Sequence, residues 1–108
     1  MPDAARSRPD PVIIVTGSAV VRPERIDDAI AVSLEHVQRS RTEPGCLAHA
    51  VHRDVEDPYR LVFVEQWADL DALHAHFAVP ASTAFVTALG EMTTGRPTLE
   101  IYAAEPAR

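Results

Sequence analysis

The sequence predicts an α+β domain of the ferredoxin-like kind, a four-stranded antiparallel sheet laid out βαββαβ, on three observations. The stretch Tyr59 to Asp69 is apolar on both faces when read with the strand period of two. Two segments with apolar residues three and four apart alternate with the strand segments. An acidic, proline-containing turn, Asp54-Val55-Glu56-Asp57-Pro58, joins two strands closely enough for a hairpin.

Met1 to Pro11 holds several prolines and alternating charges with few large apolar groups, and reads as a flexible tail before a domain spanning residues 12–104. Val12 to Val21 is β-branched and mostly apolar, a strand in which Gly17 marks a bulge or a close approach to the backbone. Pro23 opens a helix that runs to Arg41, with Ile26, Ala29, Ile30, Ser33, Leu34 and Val37 at helical spacing. Asp27 and Asp28 near its start and Arg39 and Arg41 near its end complement the helix dipole. Glu43-Pro44-Gly45 stops it. Cys46 to Arg53 then alternates as a strand, placing Leu47, His49 and Val51 on one side and Cys46, Ala48, Ala50 and His52 on the other.

In the central strand, Leu61, Phe63, Glu65 and Trp67 share one face and Val62, Val64 and Gln66 the other. A carboxylate among such neighbours must be hydrogen-bonded, open to a cavity, or shifted in protonation, which makes Glu65 and Trp67 the first candidates for a site. Asp69 is placed to cap a second helix carrying Leu70, Leu73 and Phe77. Pro80 interrupts it, a further helical piece bears Phe85, Val86, Leu89 and Met92, and Thr98 to Ala103 forms the last strand.

At 108 residues the chain is one domain, able to bury roughly two-thirds of the surface its unfolded form exposes. A net charge of −6 with no basic cluster gives no electrostatic case for nucleic acid. No apolar run approaches the roughly 20 residues of a membrane span. A single cysteine, Cys46, excludes an internal disulfide and reads as a small hydrophobe; with no secretory signal, a cytoplasmic location is expected. A sheet of this order carries its helices on one face, so the other, with residues such as Val62 and Val64, requires a cover. A homodimer with sheets face to face is the expected partner.

Ser40-Arg41-Thr42-Glu43-Pro44-Gly45-Cys46-Leu47, His52-Arg53-Asp54, Asp57-Pro58, Glu65-Gln66-Trp67-Ala68-Asp69, Ala72-Leu73 and His76-Phe77 together resemble the antibiotic biosynthesis monooxygenase domain, from about Val12 to Ile101. The resemblance implies a dimeric α+β barrel. Some members use dioxygen without metal, flavin or haem to oxidise quinols, anthrones or other electron-rich phenols. Members often have Tyr where this chain has His49, and His after the proline where it has Ala81-Ser82. The haem-degrading branch carries an iron-ligating His in the second half-helix, where Ala81 to Thr94 has none, and an Asn late in the first strand, where this chain has Thr16-Gly17-Ser18. Both absences weigh against haem.

Cofactorless oxygenation needs a base, a dry pocket and an electron-rich substrate. His49 and His52 are the two candidate bases, on opposite strand faces, and alternation does not decide which face lines the pocket. Glu65 is placed to orient such a histidine or bind a substrate hydroxyl. Trp67, His76, Phe77 and Phe63 are candidates for the substrate wall. His36 reads as solvated surface. His49, His52, His74 and His76 show no metal-ligand spacing, so neither metal nor any other cofactor is expected. The leading expectation is a monooxygenase acting on a small aromatic substrate and dioxygen; a non-catalytic binding or assembly module and a small carbonyl isomerase are the competing readings.

Overall fold

The computed structural model describes residues 11–107. Apart from Pro11, the tail expected at the N-terminus lies outside them. Four strands, β1 (Val12–Val20), β2 (Cys46–Arg53), β3 (Arg60–Trp67) and β4 (Thr98–Ala104), form one sheet in the order β2-β3-β1-β4, each neighbouring pair antiparallel. Helix α1 (Ile26–Ser40) follows a short 3-10 turn at Pro23–Arg25, and α2 (Leu70–Ala78) and α3 (Pro80–Gly90) connect β3 to β4. This is the ferredoxin-like arrangement the sequence predicts.

Local chemistry sets the boundaries. Asp69 caps α2 by accepting the Ala72 backbone N–H at 2.8 Å. Val79, driven out of helical geometry by the following proline, takes ψ 125 and separates α2 from α3, which bend by 71°. No single helix among the described residues is long and apolar enough to cross a membrane. Gly45 turns the chain into β2 at φ +82, with a would-be Cβ only 2.5 Å from the Ala72 side chain, so that only glycine fits.

The helix-covered face of the sheet carries Ile13, Val15, Gly17 and Ala19 from β1, paired in register with Trp67, Glu65, Phe63 and Leu61 from β3. His49 and Val51 of β2 pair with Glu65 and Phe63 on that same face. Trp67 is fully buried, with Ile13, Val15 and Leu73 around it. A bulge between Cys46 and Ala48 corrects one expectation: Cys46 pairs with Trp67 and packs on the core side, whereas Leu47 is exposed. The small cysteine in place of leucine leaves room for the indole.

The opposite sheet face bears Val12, Ile14, Thr16, Val62, Val64, Ala50 and His52. The helices leave it bare, as expected. They also stop short of β4, whose Leu99 and Ile101 share the register of Gly17 and Val15 yet are 56% and 46% exposed.

Candidate functional site

Three histidines from three elements meet under the helices. His49 comes from β2, opposite Glu65 of β3; His76 from the inner side of α2; and His36 from α1. All three are buried, with ring centroids 5.3 to 5.5 Å apart. The burial of His36 overturns its reading as solvated surface. The inner side of α1 is Ile26, Ala29, Ser33, His36, Val37 and Ser40, and Leu34, counted into the apolar stripe from sequence, is 44% exposed. The small residues on that side admit an imidazole, which stacks on Phe85 with centroids 4.0 Å apart.

A second layer of contacts fixes the rings. Arg39 donates through one guanidinium nitrogen to His36 Nδ1 at 2.8 Å and through the other to Glu43 Oε2 at 2.7 Å. His76 Nδ1 lies 2.8 Å from Glu43 Oε1. A carboxylate oxygen accepts and a guanidinium only donates, so His76 carries a proton on Nδ1 and in its neutral form presents Nε2 as an acceptor. His36 accepts on Nδ1, and in its neutral form carries its proton on Nε2. Trp67 Nε1–H donates to Glu65 Oε1 at 2.9 Å. His49 Nε2 stands 3.3 Å from the same oxygen but off the hydrogen-bond direction, and neither ring nitrogen of His49 has a hydrogen-bond partner.

Burial, then the neighbouring His49, His76 and Arg39 charges, lowers the His36 pKa to about 3, so this ring is neutral across the physiological range. Burial pushes the Glu65 carboxyl up, but the His49 ring, the Trp67 N–H and His76 together outweigh it and hold the group below its ordinary value, ionised. Burial and the Glu43 and Glu65 charges raise the Cys46 thiol.

A cavity of about 340 Å³ opens beside the cluster. Its walls are Phe63, Phe77, Phe85, Val86, Leu89 and Leu99, and its polar patch is His36, His76, Glu65 and Ser82; Gly17 lies on the sheet side. Of the residues singled out from sequence, Glu65, Phe63, His76 and Phe77 line this cavity. His49 and Trp67 sit in the layer behind it. His52 pairs with Val62 on the bare sheet face and is exposed, so the cavity face takes His49 and not His52. Sequence reasoning missed His36, Arg39, Ser82 and the orienting use of Glu43. The spacing of His36 from Ala29, Ser33 and Ser40 is the signal that would have found it. The three imidazoles bring one nitrogen each within 4.8 Å of one another, a set with the donor type to hold a metal ion.

Comparison with known proteins agrees with this architecture. Residues 12–88 match the family model described as antibiotic biosynthesis monooxygenase. A crystal structure of an antibiotic biosynthesis monooxygenase superposes with a TM-score of 0.81 at 32% identity, covering 87% of this chain and 99% of that one. A candidate antibiotic biosynthesis monooxygenase from Deinococcus radiodurans gives 0.84 at 27% identity, covering 89% and 95%. An uncharacterized protein from Synechocystis sp. is 30% identical over 93 residues, 86% of this chain, which spans only 63% of that relative's length. The chain belongs to the antibiotic biosynthesis monooxygenase family.

Proposed function

We propose that the protein is a monooxygenase that oxidises a quinol, an anthrone or a similar electron-rich aromatic with dioxygen, without a bound cofactor, and works as a homodimer. The observation that carries this reading is the pairing of an apolar, phenylalanine-walled cavity with a buried imidazole whose free Nε2 is an acceptor, oriented by a carboxylate: His76 on Glu43.

In this scheme His76 Nε2 takes the proton that turns the substrate into its electron-rich anion, and Glu43 stabilises the imidazolium that forms. Neutral His36 offers Nε2–H to an oxygen on which charge gathers. Phe63 and Phe85 flank the ring and keep water out, which strengthens these interactions. For an anthrone-type methylene the balance is CH₂ plus O₂ giving C=O plus H₂O. One oxygen atom enters the substrate, the other leaves as water, and the substrate supplies all four electrons. A ligand-binding module would share the cavity but has no need of a carboxylate-oriented imidazole. A carbonyl isomerase would use the same base and consume no oxygen.

Oxygen uptake by purified, chelator-treated protein over a panel of anthrones and quinols is the test. Uptake well above the buffer rate, lost in His76→Ala, is the expected result. No acceleration across the panel sinks the reading.

A further inference from the structure

We propose that His36, His49 and His76, with Glu65 beside them, form a binding site for one divalent transition-metal ion. The expectation of no metal came from sequence spacings that counted His52 and His74 and left out His36. Folding replaces those two exposed rings with the buried one.

His49 is the first argument. It is 2% exposed, and both of its ring nitrogens lack a hydrogen-bond partner, a state that buried imidazoles avoid. Glu65 Oε1 stands 3.3 Å from Nε2 without completing a hydrogen bond, and a metal ion between the three rings would give one of the two nitrogens a partner.

Geometry is the second. One nitrogen from each ring lies within 4.8 Å of the others, against the roughly 3.4 Å that separates nitrogens about 2.05 Å from a tetrahedral ion. Ligation requires the rings to turn so as to close that gap. The three imidazoles supply the protein donors, and a fourth position on a tetrahedral ion would fall to water or a bound ligand. Three imidazoles suit zinc, cobalt, nickel or ferrous iron rather than magnesium or calcium.

The support given to the ligand rings is the third. Glu43 on His76 Nδ1 leaves Nε2 as the ring's remaining donor atom, the carboxylate–histidine arrangement that supports metal ligands. Arg39 opposes binding, because its donation to His36 Nδ1 places the ring proton on Nε2. For His36 to ligate through Nε2, that proton must pass to Nδ1 and the guanidinium turn to its other partners, Glu43 and Ser82.

This inference rests on the histidine cluster and not on the oxygenase reading. A bound ion would hold the lone pair that proton removal by His76 requires, so metal loading and metal-free turnover exclude each other.

Chelator-stripped protein is dialysed against Co²⁺ and, separately, Zn²⁺, with folding followed by circular dichroism. Expected are one ion per chain, a visible cobalt spectrum of the intensity of a four-coordinate site, and displacement of cobalt by zinc. His49→Gln and His36→Ala should each weaken binding by about a hundredfold or more, beyond what loss of a merely supporting partner costs, and His74→Ala should leave it unchanged. Folded wild-type protein that takes up neither ion, or a loss in His74→Ala equal to that in His49→Gln, overturns the proposal. Oxygen uptake by the stripped protein is measured alongside, so that failure of metal binding and failure of the oxygenase reading are told apart.

Discussion

Glu43 Oε1 lies 2.8 Å from His76 Nδ1, while Oε2 of the same carboxylate is 2.7 Å from Arg39. One acidic side chain in the turn after α1 thus governs which nitrogen of a histidine on α2 is bare. Glu43→Gln keeps the shape and removes the charge that balances an imidazolium. We expect kcat for oxygen uptake to fall by about tenfold to a hundredfold with KM little changed, the mark of support realised in the transition state. Steady-state kinetics over a range of substrate concentrations check it.

Trp67 joins packing to polarity, being fully buried and donating to Glu65. Trp67→Phe leaves a void and strips the carboxylate of a donor. A loss of about 2–4 kcal/mol is expected, combining cavity and hydrogen-bond costs. Urea denaturation at neutral pH measures it.

Gly45→Ala should be costly for a different reason. The residue sits at φ +82, and an added Cβ would meet the Ala72 Cβ at 2.5 Å. Left-handed strain of about 1–2 kcal/mol and a clash of similar size add up, so thermal unfolding should fall by several degrees.

Most of the fold was legible because strand alternation and helix breakers are local signals. Pro80, Asp69 and Gly45 each act on their own neighbours, and the structure uses all three as the sequence predicts. The site was legible only in part. Glu65 and His76 stood out as polar groups among apolar ones, and both line the cavity. His36 was hidden because the inward side of α1 is built from Ala29, Ser33 and Ser40, which carry little hydropathy signal. The bulge at Leu47 was hidden too, since pairing one residue against two is decided by the partner strand.

The uncovered sheet face makes a prediction about assembly. Val64 projects from the middle of β3, flanked in register by Thr16 and Ala50, and is partly exposed. In a dimer with sheets apposed, Val64→Arg would bury an unpaired charge. Sedimentation velocity should show dimers for the unaltered chain and monomers for this variant; a monomeric unaltered chain contradicts the assembly.

Cys46 should be a sluggish nucleophile. Burial first, then the Glu43 and Glu65 charges, raise its pKa, so its reactive thiolate forms at higher pH than in the unfolded chain. Alkylation by iodoacetamide at pH 8 should be slower in the folded protein than in urea, and Glu43→Gln should speed it.

The gap over β4 bears on selectivity. With Leu99 and Ile101 roofed by no helix among the described residues, the cavity meets buried imidazoles on one side and a half-exposed strand on the other. Under the proposed oxygenase reading, a guest would be inspected closely at its reacting ring and less along its tail. Polycyclic or side-chain-bearing compounds larger than the cavity would then seat their reactive end, and discrimination among them would fall to whatever lies across that outer strand.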